Sequence, residues 1–192
     1  MLNFLKALVC ACAGVALGLA ATFFSVESGF GFGAVKAGPW TAWPRSGAPE
    51  ADPYARAALA RSGELPLGLS VGLSFFARAD SAGAPLSGRC SYEISGVLPA
   101  ARFWTLTAAG PRGYLVANSA GRYGFTSGEI LRLAGGAFVI TAAPTVQPGN
   151  WLPLGSPERF VLVLRLYDTP VSATASALSA VSLPVIRQTG CA

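Results

Sequence analysis

Eight residues, FVLVLRLY at 160–167, set the first limit on what this chain can fold into. In an extended backbone successive side chains point to opposite faces, so Phe160, Leu162, Leu164 and Leu166 share one face, and Val161, Val163, Arg165 and Tyr167 share the other. Both sets are mainly apolar, the mark of a strand in the middle of a sheet rather than at its edge. Arg165 is the anomaly. A guanidinium at that depth has to meet a carboxylate or carbonyl oxygens.

A central strand needs neighbours, and the chain after Leu69 supplies them as short segments with turn residues between. SVGLSFFARAD ends at a turn over Ser81–Gly83, and RCSYEISG alternates in polarity. ARFWTLTAAGPRGYLVAN reads as a hairpin turning at Gly110–Gly113, and EILRLAGGAFVITAAP as a second one turning at Ala134–Gly136. SLPVIRQTG carries a last short strand, whereas Asn150 and Trp151 fall in a loop. Closely spaced strands with Gly and Pro turns predict a mainly β fold, an antiparallel, jelly-roll-like β-sandwich. One short helix precedes them: Asp52 is a good N-cap, Pro53 suits the first turn and Gly63 the stop.

Only 12% of residues are charged and 52% are apolar, a balance that places part of the chain out of water. That part is Ala7–Phe24, which holds no charge. As a helix it would be about 27 Å long, close to the hydrocarbon thickness of a bilayer. A cleaved signal and an uncleaved anchor both put the rest of the chain across the membrane. The run exceeds a usual signal core, and the small residues Gly18 and Ala20 lie inside it, which favours an anchor. With Lys6 before the run and Glu27 after it, the expected topology is a single pass through a bacterial inner membrane with the domain in the periplasm. Three parts follow: an anchor or signal segment over 1–25, a Gly-rich linker over 26–37, and an exported domain over 38–192.

Cysteine use agrees with export. Cys10 and Cys12 lie within the apolar run and read as small hydrophobes. Cys90 and Cys191 are the remaining pair, and in an oxidising compartment they predict one disulfide. Closing a loop of about 100 residues stabilises by roughly 4.7 kcal/mol in the chain-entropy model.

The sequence contains no histidine, which removes Ser-His-Asp and Cys-His nucleophile pairs and most zinc and non-haem iron sites. Ser-Lys chemistry is not expected either, because the lysines, Lys6 and Lys36, lie outside the expected domain. GFGFG at 29–33 lacks the strand and helix that a phosphate loop needs. Neither a cofactor nor a metal is therefore expected. Paired carboxylates are the chemistry left open: Glu93 and Asp168, with Arg165, are the catalytic candidates for an enzyme acting on an envelope polysaccharide or a small anion. Both acids have a plainer use as ion-pair partners of arginine.

Aromatic rings and guanidiniums offer binding instead. Arg102, Trp104, Arg122, Tyr123, Asn150, Trp151 and Tyr167 are the candidates to line one end of a sandwich, where rings stack on sugars and arginines hold carboxylates. Core packing is the commoner use for Trp104 and Tyr167. The net charge of +5 is spread over singly placed arginines, and without a basic stripe interleaved with aromatics nucleic acid is not an expected partner. The expected partners are the membrane, through the N-terminal helix, and an envelope saccharide or protein.

Several segments together resemble one family: GPWTAWPRSGAPEADPYARAALARSGELPLG, SGRCSYEISG, ARFWTLTAAGPRGYLVAN, AGRYGFTS, PGNWLPLGSPERFVLVLRLYDTP and the closing GCA. The chain resembles the bacterial domain of unknown function 1214 family, in its small form with a single membrane segment. The resemblance implies a β-sandwich and brings no catalytic residue with it. Ala-Ala-Gly at 108–110 and Gly128 depart from the family pattern. The functional expectation is a membrane-tethered periplasmic sandwich that binds or associates with the envelope, without catalysis of its own. Because no side chain titrates ordinarily near neutrality, thermal melts of the full chain should give a flat stability between about pH 6 and 8. A steep slope in that window would expose a strongly shifted carboxylate or thiol.

Overall fold

The computed structural model of the chain describes residues 2–27, 33–62, 66–68, 70–155, 157–173 and 181–191. Helix α1, Leu2–Glu27, opens it, and its stretch Asn3–Val26 is long and apolar enough to cross a membrane. Every side chain from Asn3 to Phe24 is exposed, so the body of the protein draws none of its core from this helix.

The body is a sandwich of two sheets. Its strands are β1 Val35–Ala37, β2 Trp40–Ala42, β3 Gly72–Ala77, β4 Cys90–Gly96, β5 Phe103–Ala109, β6 Gly124–Thr126, β7 Phe138–Ala143, β8 Asn150–Pro153, β9 Val161–Tyr167 and β10 Val185–Cys191. One sheet has six strands in the order β1-β2-β3-β9-β5-β6, the other four in the order β10-β4-β7-β8. All neighbours are antiparallel except β7 and β8, which run parallel. Helix α2, Pro53–Ser62, lies in the connection between β2 and β3. Its cap is the expected one: the Asp52 carboxylate accepts hydrogen bonds from the backbone N–H of Tyr54 at 2.8 Å and of Ala55 at 3.4 Å. Gly63, the expected stop, lies outside the described residues.

Strand β9 occupies the centre, as its two apolar faces require, paired along its length with β3 on one side and β5 on the other. Leu162, Leu164 and Leu166 are turned to the core, where they meet Leu73, Phe75, Trp104 and Leu106 of the same sheet and Ile94, Phe138, Ile140 and Ile186 of the facing one. Trp104 stacks on Phe138 across the gap, ring centroids 5.3 Å apart. Burying each large side chain of this kind contributes about 1.5–3 kcal/mol. Two ring polar groups inside find partners, as burial demands. The Trp40 indole N–H donates to the Pro184 carbonyl at 2.7 Å, tying β2 to the entry of β10. The Tyr92 hydroxyl accepts the Ser87 N–H at 2.9 Å.

Several local expectations are corrected. The linker does not extend to Ala37: Val35–Ala37 already pairs with β2, so the sheet begins inside it, while residues 28–32 lie outside the described residues. The second arm of the first hairpin contributes a single bridge, Ala109 to Leu115. Pairing with β5 is resumed by β6, where Gly124 is needed because a Cβ there would stand 2.4 Å from the Leu106 carbonyl oxygen. The first arm of the second hairpin is likewise reduced to a bridge, Arg132 to Phe138. Trp151 is not in a loop but in β8, and the parallel β7–β8 pair departs from a purely antiparallel sandwich.

The disulfide joins Cys90 to Cys191, residues directly opposed on β4 and β10. At the other end of β10, Ile186 exchanges two hydrogen bonds with Ser81, from Ser81 N–H to the Ile186 carbonyl at 2.8 Å and from Ile186 N–H to the Ser81 hydroxyl at 2.9 Å. The edge strand is thus held at both ends. Replacing both cysteines by serine should lower stability by about 2–4 kcal/mol. Denaturant unfolding of the oxidised, reduced and substituted chains measures this, and coincident curves would refute a stabilising bond.

Candidate functional site

The outward face of the six-stranded sheet carries two adjoining depressions among the described residues. Register puts Thr41, Phe76, Val163 and Thr107 in one row across β2, β3, β9 and β5. Val161 and Ala109 form the adjacent pair. Phe76, Ala109, Val161 and Val163 pack as a second apolar cluster, separate from the core. They floor a groove of about 410 Å³, within the range of small-ligand sites.

Two pieces of chain wall it. On one side stands Leu67, from the connection carrying α2; on the other, the turn Gly110–Gly113 with Leu115. Leu67 is brought there by a close backbone approach: a Cβ on Gly47 would lie 2.7 Å from the Leu67 carbonyl oxygen. Arg165 and Tyr167 line the groove along β9, and Arg78, just beyond the end of β3, lines it as well. No acidic side chain is among its described lining residues. Arg78 lies 5.8 Å from the Phe76 ring centroid and 5.9 Å from that of Trp43, cation–π contacts that hold its position. Arg165 is half-buried and stands in register between Ser74 and Thr105. The Ser74 hydroxyl on this face is buried without a hydrogen-bond partner, a state that native structures rarely leave unexplained. A second depression, of about 420 Å³, adjoins it through shared residues Phe76 and Arg78 and adds Lys36 and Thr41. Its acidic lining residue, Asp80, is committed to its own loop, accepting from the N–H groups of Ala82 at 2.9 Å and Ala84 at 2.8 Å.

The catalytic candidates do not assemble. Glu93 is on β4, on the outward face of the four-stranded sheet, and pairs with Arg187 at 3.1 Å while accepting from the Ser95 hydroxyl at 3.3 Å. Asp168 follows β9 in the other sheet and is exposed, 4.0 Å from an equally exposed Arg102. The carboxylates thus belong to different sheets, each with its own arginine beside it, Arg187 for Glu93 and Arg102 for Asp168. Surface pairs such as Arg102–Asp168 contribute little.

The binding candidates scatter as well. Trp104 is 3% exposed and belongs to the core. Asn150 is 7% exposed and acts as a clamp: its amide accepts from Leu131 N–H at 2.8 Å and donates to the Leu131 carbonyl at 2.8 Å and the Val139 carbonyl at 2.9 Å. Trp151 is half-buried, its indole donating to the Ala143 carbonyl at 3.1 Å. Arg122 lies over the Phe125 ring at 4.8 Å, and neighbouring Tyr123 gives its carbonyl to Ala108 N–H. Of the seven, Tyr167 alone lines the groove, its ring 6.0 Å from that of Phe103. Arg78, Phe76, Val161, Val163 and Thr107 escaped the reading of the sequence. Val161 and Val163 lie on the odd-numbered face of β9 and are buried, as its apolarity requires, but beneath an outward groove rather than in the main core.

A family model described as "Protein of unknown function (DUF1214)" matches residues 71–171, more than half of the chain. The chain belongs to the DUF1214 family. The matched DUF1214 region runs from just before β3 to just after β9 and so includes most of the groove. Among solved structures, the VPA0106 protein from Vibrio parahaemolyticus is similar with a TM-score of 0.58 at 19% identity, over 73% of this chain and 36% of its own. A putative uncharacterized protein from Burkholderia cenocepacia gives a TM-score of 0.39 at 18% identity, over 76% of this chain and 47% of its own. This chain thus spans little more than a third of the Vibrio protein's length, and at that identity the likeness is one of fold. No curated protein matches the chain.

Asn150→Ala should cost about 2–3 kcal/mol by leaving the buried Leu131 N–H and its neighbouring carbonyls without partners. Denaturant unfolding of the variant measures the loss. A change under about 0.5 kcal/mol, the scale of an ordinary surface substitution, would show that the clamp is dispensable.

Proposed function

We propose that this DUF1214 chain is a membrane-tethered, envelope-associated binding domain, anchored by α1 and facing the periplasm, with the outer-face groove as its ligand site. The observation that carries the reading is the groove itself. An apolar floor of Phe76, Val161 and Val163 with Arg165 and Tyr167 beside it joins hydrophobic area to a few convergent polar groups, the composition of a ligand pocket. The orientation rests on Lys6 before the apolar stretch and Glu27 at its other end, and on a disulfide of the kind that persists in oxidising compartments. Binding without catalysis is the reading that fits a groove in which two guanidiniums, a phenol and a hydroxyl are grouped with no carboxylate among the described lining residues.

The test is a thermal-shift screen of the full chain in neutral detergent against envelope saccharides, acidic saccharides, lipids and small anions. A ligand at a hundred times its Kd stabilises by about 2.7 kcal/mol. For a domain of this size that raises Tm by several degrees, and Tyr167→Ala should abolish the shift. A blank panel, or a shift that Tyr167→Ala leaves intact, would remove the groove as the binding site.

A further inference from the structure

We infer that the groove takes an anionic amphiphile, a molecule with one apolar chain and a carboxylate or phosphate head. The inference rests on the reading of the groove as a binding site and names the ligand class. Four observations converge on it.

The first is the floor. Leu67, Phe76 and Leu115 keep apolar surface exposed over the buried Ala109, Val161 and Val163, and such surface gains from a hydrocarbon chain laid along it. The second is charge. Arg78 and Arg165 both line it, Arg165 paired with Ser74 near the start of β3 and Arg78 just past the last residue of β3, Ala77, which pairs with Leu162. The three residues from Ala77 back to Ser74 span about 10 Å of extended strand. Both guanidiniums already have contacts of their own. Each nevertheless brings five donors in a planar fork that matches a carboxylate or phosphate, so an existing contact orients the group without exhausting it.

The third observation selects the end for the head. Arg165 has the Tyr167 phenol two residues along its own face, and the buried, partnerless Ser74 hydroxyl directly opposite in register. An anionic head there would meet a charged donor and the Tyr167 phenol, both lining the groove, while the Ser74 hydroxyl lies buried behind them. The fourth is reach. Glu27 ends α1 and Val35 begins β1, and the eight intervening steps span at most about 29 Å of extended chain. With α1 in the bilayer, that short tether keeps the sheet close to a supply of amphiphiles.

The experiment uses the full chain in phosphatidylcholine nanodiscs, irradiated with a photoactivatable dodecanoate, with labelled peptides mapped by mass spectrometry. Labelling is expected on the peptides holding Phe76 and Val161–Tyr167. Dodecyl phosphate should compete, whereas dodecanol should compete about tenfold more weakly, the effect of losing a charge-assisted hydrogen bond. Arg165→Gln should weaken labelling by a similar factor and Arg165→Lys should restore part of it. Thr107→Phe, which fills the groove without touching a charge, should abolish labelling while the far-UV spectrum stays unchanged.

Dodecanol competing as well as dodecyl phosphate would overturn the anionic head, and inorganic phosphate competing as well as dodecyl phosphate would overturn the chain. Label confined to α1, together with a saccharide shift in the thermal screen that Tyr167→Ala abolishes, would overturn the amphiphile and leave the groove as a binding site. Label confined to α1 with a blank screen would overturn both.

Discussion

The pairing of β9 on both edges is the constraint on which the rest of this structure depends. Because β3 and β5 take up its backbone donors and acceptors along the whole strand, its two faces are free to do different work. One supplies Leu162, Leu164 and Leu166 to the core; the other supplies Val161, Val163, Arg165 and Tyr167 to the groove. Fold and site are therefore not separable here. A shift of β9 by one residue would exchange the two sets, burying a guanidinium among aromatics and turning leucines outward.

The same logic explains why the groove sits where it does. A sandwich of two sheets has its core between them, and its outer faces are ordinarily polar. In this chain the connection between β2 and β3 is long enough to carry α2 and bring Leu67 over the outer face. Together with the turn after β5 it provides walls, and the apolar strip between them is largely buried. What a comparable sandwich would solvate, this one partly shelters.

How much of this could be seen in the sequence varies with the range of the interaction. β9 was visible because both of its faces are apolar over consecutive residues, and α2 because Asp52 and Pro53 act within one turn. The Cys90–Cys191 bond followed from there being no other cysteine outside the apolar run. β8 was invisible for the opposite reason. Its four residues run from a polar Asn150 to Pro153, and only alignment with Ile140–Ala143 makes them a strand. Asn150 looked like a ligand contact because its partners, Leu131 and Val139, are 19 and 11 residues away. The alternation in ARFWTLTAAG already put Trp104 in phase with Leu106 and Ala108, and the structure buries all three. For Arg165 the residue was noticed but its direction was not: alternation says that a side chain lies on a given face, and only the packing of distant segments says whether that face is interior.

The placement of the disulfide has an implication for how the molecule comes into being. Cys90 stands on the second strand from the edge of its sheet and its partner lies 101 residues further along the chain. Until those residues have been made and delivered, Cys90 is an unmatched thiol, the Trp40 indole lacks its Pro184 acceptor, and the place of Ile186 in the core is open. Late delivery of β10 satisfies all three at once. Oxidation at this position is therefore a record of sheet closure: a chain that carries the bond has brought its last described strand into register beside β4.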